Sequence, residues 1–260
     1  MIDLLRVPGN PLTIQSEILG TIGQFPIRNT ETTAVLDWIF FIFLMLSARN
    51  FRMQNPGRFQ IAVEMILTII TGLINQIVGD EKKSKKIVPV VTTLTLFLLV
   101  SNLITMLVPF ISGFTYNSVP LFRTHTNDFN TTVALSFSMI FLGQVYSVQS
   151  EGVLDHIFKY FQIKQVILAF RKSVKQGLLA IINAFVGLLD IVSEFAKVIS
   201  LSLRLFGNIF AGELLIGVFM SMLAVGLPIP IMILSLLSGV IQSIVFGSIV
   251  ASNLSVSISD

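Results

Sequence analysis

The sequence predicts an all-α polytopic membrane protein with about five membrane-embedded helices, an amphipathic interfacial helix and a carboxyl-terminal hairpin of two long tilted helices. Three observations carry this. Of the 260 residues, 53% are apolar and only 12% are charged, about half the charged share of a soluble domain. Mean hydropathy is +0.86. Finally, Ile87–Ser112 and Leu214–Ser259 contain no Asp, Glu, Lys or Arg. A soluble fold of this size cannot cover its surface with so few charges, because polar groups must face water somewhere.

The elements follow in order, as one membrane domain over residues 1–260. Residues 1–32 mix charge and polarity (Asp3, Arg6, Glu17, Arg28), unlike a cleaved signal peptide, and form an outer-side segment. Residues 33–149 hold the first spans. A span needs about 20 mostly apolar residues, and the first candidate is Thr33–Ala48, where Asp37 limits how deep its start can sit. Asn55–Gly79 opens on Pro56-Gly57 and repeats Ile61, Met65, Ile66, Ile69, Ile70 and Leu73 at helical spacing. That stripe predicts a helix lying at the interface rather than a span. Ile87–Ser112 and Thr131–Gln149 are the next two spans.

Residues 150–176 form a cytoplasmic amphipathic segment, with Ile157, Phe158, Phe161, Val166 and Phe170 set against Lys159, Lys164 and Arg171. Residues 177–260 make the long hairpin. Gly177–Gly226 would measure about 75 Å as one helix, against a hydrocarbon core of about 30 Å. It is either two spans or one steeply tilted helix. Leu227-Pro228-Ile229-Pro230 then forces a turn, because proline removes a backbone donor and disfavours helix before it. Ile231–Ala251 is the returning run.

Lys and Arg placement sets the orientation. Arg49, Arg52 and Arg58, the run Glu81-Lys82-Lys83-Ser84-Lys85-Lys86, and Lys159 through Lys175 gather on one side, whereas Gly113–Asn130 carries only Arg123. The basic loops are therefore cytoplasmic, as is the carboxyl terminus. The amino terminus and the Pro228 turn face out.

Composition also excludes chemistry. The 17 Lys and Arg against 14 Asp and Glu read as orientation charge, since no basic patch is interleaved with aromatics to bind nucleic acid. Zero cysteines exclude disulfides, thiol catalysis, iron–sulfur clusters and thiolate zinc. His125 and His156 make no metal motif and read as solvated loop or surface residues. Neither metal nor cofactor is expected. No Gly-rich loop ending in Gly-Lys-Ser/Thr is present to cradle ATP phosphates.

Asp190, Glu194, Lys197, Arg204 and Glu213 interrupt the apolar helix. An arginine at mid-bilayer costs roughly 2.5–3.5 kcal/mol on insertion scales, which makes it a functional residue unless a structural ion pair or snorkelling explains it. No carboxylate lies within a turn of Arg204 on its own helix. At about 100° per residue, Lys197 and Asp190 fall roughly 20° and 40° from its face, and Glu213 about 180° away. Acids on both sides of a fixed cation suit two separate polar half-paths, and suit scattered interface charges equally. A guanidinium stays protonated and cannot relay protons, but it favours the ionised form of a carboxylate brought beside it. An arginine without such a partner in its own chain asks for one on another chain.

The run Ser200-Leu201-Ser202-Leu203-Arg204-Leu205-Phe206-Gly207-Asn208-Ile209-Phe210-Ala211-Gly212-Glu213-Leu214 resembles the signature of subunit a of F-type ATP synthases. Asp128-Phe129-Asn130-Thr131-Thr132 resembles that family's Asp-x-Asn-Thr-Thr motif. Ser101-Asn102-Leu103-Ile104 with Pro109, Asn55-Pro56-Gly57-Arg58 through Glu64, and Gly239-Val240-Ile241-Gln242 are similar as well, so the resemblance covers the chain from about residue 20. Thr105 stands where the family often has Gly, and Lys197-Val198 where many members have Lys-Pro.

The resemblance implies a static proton-channel subunit that is catalytically silent alone, with no nucleotide-hydrolysing site. Its long helices would pack against a rotating ring of c subunits, each bearing a membrane carboxylate. Arg204 would be the essential stator charge between two half-channels. Asn208, Glu213, Gln242 and Ser235 (a position with histidine or an acid in some members) would belong to the outer path, and Asp190 and Glu194 to the cytoplasmic path. The implied partners are the c-ring, the peripheral-stalk b subunits, the rest of the ATP synthase complex and the lipid bilayer, with no nucleic acid. The motifs resemble bacterial or plastid members, which implies the bacterial inner membrane or, alternatively, the thylakoid membrane.

Two rivals make different predictions. A self-contained ion-coupled secondary transporter predicts internal repeats and broken helices at a midplane site, and no convincing repeat is visible. A scaffold has no need for Arg204. Among minor residues, Asn102 reads as a helix–helix hydrogen bond, Gly207, Ala211 and Gly212 as sites of close backbone approach, and Asp128–Thr132 as a capped helix start.

Overall fold

The computed structural model describes residues 18–22, 25–52, 55–111, 115–116, 119–120, 125–153, 174–222 and 228–258. Six long helices dominate the described residues: α1 (Asn29–Ala48), α2 (Arg58–Val78), α3 (Glu81–Ile111), α4 (Phe129–Glu151), α5 (Val174–Met222) and α6 (Pro228–Ser257). Two small antiparallel ribbons accompany them, β1 (Ile18–Ile22) with β2 (Phe25–Arg28) and β3 (Thr115–Tyr116) with β4 (Val119–Pro120). A 3-10 turn at His125–Asn127 leads into α4. The amphipathic segment Leu154–Phe170, with His156, and the residues just before Pro228 lie outside the described residues.

Among the described residues, five helices are long and apolar enough to cross a membrane: α1, α2, α3 through Ile104, α4 and α6 from Ile229. α2 is among them although its stripe of apolar residues predicts an interfacial helix. Its carboxyl-terminal half buries Ile70, Ile74 and Val78, while Phe59, Ile61, Met65, Ile66 and Ile69 stay exposed. Apolar side chains on both sides need lipid as well as protein, which is why length and composition alone admit a span. Gly79 ends α2 in the left-handed region (φ 72°), its amide donating to the Asn75 carbonyl at 3.0 Å. That conformation carries no Cβ penalty in glycine. Asp80 Oδ1 then accepts from the Lys82 amide at 2.8 Å, so α3 starts two residues later and carries the charged run Glu81–Lys86 as its first turns.

The core follows from helical periodicity. Ile87, Val91, Leu94 and Leu98 recur on one face of α3 and meet Phe246, Val250 and Leu254 of α6, with Leu201 and Leu205 of α5 closing the cluster. The two helices run antiparallel, since Asn102 meets Gly239 at one level and Thr95 meets Gly247 lower down. One turn beyond Leu98 the interface becomes polar. Asn102 Nδ2 donates to the Gly239 carbonyl at 3.0 Å and to Ser243 Oγ at 2.9 Å. This is the helix–helix hydrogen bond the sequence predicts. Interhelical hydrogen bonds in membranes average about 0.6 kcal/mol. Asn102→Leu is therefore expected to cost about 1 kcal/mol, read as earlier unfolding in denaturant–detergent titrations.

α1 is attached differently. Asn29, Thr30, Thr33 and Asp37 are its only buried residues, and all are polar. Asp37 Oδ2 accepts from Ser101 Oγ of α3 at 2.8 Å, and Asp37 is 1% exposed. The carboxylate thus sits inside the protein rather than setting the depth of the helix at a water boundary. A hydroxyl donor makes burial tolerable where lipid would not.

α5 is one continuous helix of 49 residues, about 74 Å long, which decides between the two readings of this stretch. It carries exposed apolar side chains from Leu178 to Val218, and that face alone spans about 60 Å at 1.5 Å per residue. A hydrocarbon core of about 30 Å contains such a face only if the helix is inclined by roughly 60°. α6 returns antiparallel beside it, with Pro228 at its first position, where the missing amide is not needed. α4 lies across both.

Candidate functional site

α5 turns its Leu201 and Leu205 side chains into the core, 3% and 0% exposed. The opposite face carries Ser200, Leu203, Arg204, Gly207 and Ala211, all exposed. Arg204 therefore projects from the outer side of the bundle among small and apolar neighbours. It makes no ion pair or hydrogen bond among the described residues. Gly207 also faces open space, with nothing near the position its Cβ would take. The sequence predicts close backbone approach there, and no described element supplies it. Gly212 does pack closely: a Cβ at that position would collide with Ser235 Oγ of α6, so the expected small-residue approach holds at this site.

The residues beyond Arg204 are held by facing elements. Asn208 Nδ2 donates to the Ser238 carbonyl at 3.2 Å, and Ser238 Oγ donates back to Asn208 Oδ1 at 2.6 Å. Glu213 is half-buried on the other side of α5 and accepts a hydrogen bond from Asn127 Nδ2 in the turn before α4. Phe206 stacks edge-on against Phe129, centroids 5.6 Å apart, and fixes that turn against α5. Asp128 caps α4, accepting from the Asn130 amide at 3.0 Å, as the sequence predicts. Gln242 is 8% exposed, and its Nε2 finds no hydrogen-bond partner among the described residues.

Before Arg204 the chain is more open. Asp190 is exposed. Glu194 Oε1 accepts from Lys197 Nζ at 2.8 Å, one turn apart on the same helix. Glu194 and Lys197 also line a cavity shared with α4 and α6.

Most predicted site residues thus lie along the hairpin on two sides of Arg204, with Asn208 tied to α6 and Glu213 to the α4 turn. The structure does not bring Glu213 to Arg204, because nine residues turn them to opposite faces. Sequence reasoning missed three partners: Ser238, Asn127 and Asp37. For Asp37 a signal exists, since Asn29, Thr33 and Asp37 recur every four residues and form a polar stripe on an otherwise apolar helix. Among the described residues no three His, Asp or Glu side chains gather into a metal-holding group.

Comparison with known proteins places this arrangement. Residues 32–254 match the family model described as ATP synthase A chain. The chain is 31% identical over 229 residues to the ATP synthase subunit a of Moorella thermoacetica, covering 86% of this chain and 88% of that protein. It is 26% identical over 228 residues to ATP synthase subunit a 1 of Crocosphaera subtropica, covering 86% and 85%, and 26% identical over 232 residues to subunit a 2 of Acaryochloris marina, covering 86% and 83%. The chain belongs to the ATP synthase subunit a family.

Proposed function

We propose that this chain is the stationary ion-conducting subunit of the membrane sector, with Arg204 as the fixed charge that separates two offset half-channels. One observation carries the reading: a guanidinium that makes no ion pair among the described residues stands on an exposed, apolar helix face. A charge in that setting is costly unless a partner supplies the counter-charge, and none of the described residues does. The small residues Ser200, Gly207 and Ala211 beside it leave room for another helix to come close. The partner of matching chemistry is a ring of c subunits carrying a membrane carboxylate.

The mechanism follows from charge. Asn208, Glu213 and Ser235 lie beyond Arg204 toward the Pro228 end, with Gln242 at about the arginine's level, and together they line the outer path. Asp190 and Glu194 lie before it and serve the cytoplasmic path. A ring carboxyl arriving from one side must lose its proton to pass the guanidinium, which favours the ionised form, and it regains a proton on the other side. Moving one charge through 100 mV releases about 2.3 kcal/mol, so rotation pools several such steps for each ATP made elsewhere in the complex. The chain itself is catalytically silent. Peripheral-stalk b subunits hold it still, and the complex sits in the bacterial plasma membrane, with the thylakoid membrane as the alternative.

The test is ATP-driven ion pumping by the assembled complex with Arg204→Ala. Pumping is expected to vanish while the subunits still purify together. A normal pumping rate in that complex overturns the reading.

A further inference from the structure

Five interhelical hydrogen bonds lie at one level of the bundle and tie four helices in sequence. Ser101 Oγ of α3 donates to Asp37 Oδ2 of α1 at 2.8 Å. The next residue of α3, Asn102, donates through Nδ2 to the Gly239 carbonyl and Ser243 Oγ of α6, at 3.0 and 2.9 Å. Ser238, the neighbour of Gly239, exchanges two bonds with Asn208 of α5, at 2.6 and 3.2 Å. The chain of bonds thus crosses α3 between adjacent residues, and α6 likewise, so each crossing shifts it only about 1.5 Å along the axis. Adjacent residues on a helix point about 100° apart, which turns the path at α3 and again at α6. It starts at a buried carboxyl group on α1 and ends one turn from Arg204.

The links are stiff. Ser243 Oγ accepts from Asn102 and donates to the Gly239 carbonyl at 2.8 Å, which closes the α3–α6 crossing on itself. A Cβ added at Gly239 would stand 3.2 Å from Asn102 Cβ, so the two backbones have little room to shift. At the α5–α6 crossing both ends of the Asn208 amide are held, which fixes its orientation. Apolar contact alone gives no such register, because it is non-directional, and lipid tails press helices together no better than leucines do. α1 depends on such bonds most. It buries only polar residues, and Asp37 lies eight residues, about 12 Å, inside its start. An acid placed that deep in a span marks a functional position.

We propose that Asp37, Ser101, Asn102, Ser238 and Asn208 form a transverse brace that keeps Arg204 in place while a loaded neighbour is drawn past it. The proposal rests on the stator reading. Asp37 is then a positioning residue: it acts through α3 and α6 on the turn of α5 that carries the arginine. Sideways force on Arg204 falls first on α5. The two Ser238 bonds pass it to α6, the Asn102 bonds pass it to α3, and Asp37 passes it to α1, outside the hairpin. A brace loose at its far end lets α5 yield. Hydrogen bonds are lost within about an ångström of stretch, so a small movement parts the guanidinium from the carboxylate it must hold. The defect belongs to the loaded motor and not to the idling one.

The test uses the assembled complex in inverted membrane vesicles and compares Asp37→Leu with Asp37→Asn. Leucine removes the acceptor, whereas asparagine keeps an oxygen to which Ser101 can donate. Two quantities are read: ATP hydrolysis with an uncoupler present, where the rotor carries no load, and the largest proton gradient the complex sustains. Asp37→Leu is expected to hydrolyse within about twofold of the native rate but to sustain a proton ratio roughly tenfold smaller, about the factor one hydrogen bond is worth. Asp37→Asn is expected to sustain the native ratio. A native gradient in Asp37→Leu overturns the proposal. So does an equal loss in Asp37→Asn, which gives the carboxyl group a proton-carrying role, and so does a matching fall in unloaded hydrolysis, which marks general loss of packing. Where Asp37→Leu fails to assemble, Ser101→Ala breaks the same bond by removing one hydroxyl. It is expected to show the same defect under load, and a native gradient there also overturns the brace. Loss of pumping in Arg204→Ala alongside a native gradient in Asp37→Leu rejects the brace and leaves the stator reading standing.

Discussion

Membranes carrying the Arg204→Ala complex are expected to leak protons passively, and their ATP-driven pumping to fall at least about a hundredfold. The two effects share one cause. An opposite charge within about 4–6 Å lowers a carboxyl pKa by 1–3 units, so a guanidinium favours the ionised ring carboxylate about 10- to 1000-fold. On the proposed stator reading, its loss lets a protonated carboxyl pass the barrier position without releasing its proton, and the two half-channels connect. A passive proton flux, measured as collapse of an imposed pH gradient across vesicles stripped of the soluble sector, reads that connection directly. Arg204→Lys sharpens the result. Lysine keeps the charge but loses the rigid planar fork and titrates when desolvated. It is expected to block the leak better than alanine and still pump far below the native rate. Leak absent in Arg204→Ala means that the barrier lies elsewhere.

Gly247→Ala is expected to destabilise the chain by about 1–3 kcal/mol, the usual cost of overpacking, and Thr95→Ala is expected to recover most of that loss. At Gly247 the α3 and α6 backbones approach so closely that an added Cβ would overlap the Thr95 hydroxyl, with Thr95 Cβ at 3.2 Å. Thr95 cannot swing aside freely. It is 2% exposed, and its Oγ1 donates to the Val91 carbonyl at 2.8 Å. Removing that hydroxyl vacates the space the methyl needs. The double mutant should therefore be more stable than the sum of the single losses, with a coupling energy of roughly 0.5–3 kcal/mol. Thermal unfolding of the purified complex in detergent checks it. Equal and additive losses would show that the contact relaxes through the backbone.

Much of this arrangement is legible in the sequence, for identifiable reasons. Helices in lipid must satisfy their own backbone groups, so uncharged runs such as Ile87–Ser112 translate almost directly into α3. The arginine in an apolar stretch announces itself by its cost. Asn102 and Asp128 are legible because their roles are local or have few alternatives in a membrane interior. Other features are not. The continuity of α5 depends on its inclination, and residue preferences are the same for one long helix as for two short ones. α2 defeats a simple choice because its apolar residues cover too much of its circumference for an interfacial stripe alone. The bond from Asn127 to Glu213 joins positions 86 apart in sequence, and no periodicity encodes such a meeting. Gly207 is legible only in part, because a glycine marks closeness without naming the neighbour, and none of the described residues packs against it.

The inclination of α5 has a mechanical consequence. A helix with a 60 Å apolar face laid over at roughly 60° advances about 50 Å sideways while it climbs the 30 Å core. Upright helices pack about 8–10 Å apart, so this one element passes in front of several of them in succession, each at a different height. An upright neighbour sliding past therefore meets a ramp, and what it touches changes from one end of the hairpin toward the other as it moves. Sideways travel thus changes the height at which contact is made along this inclined plane, and Arg204 stands partway up it.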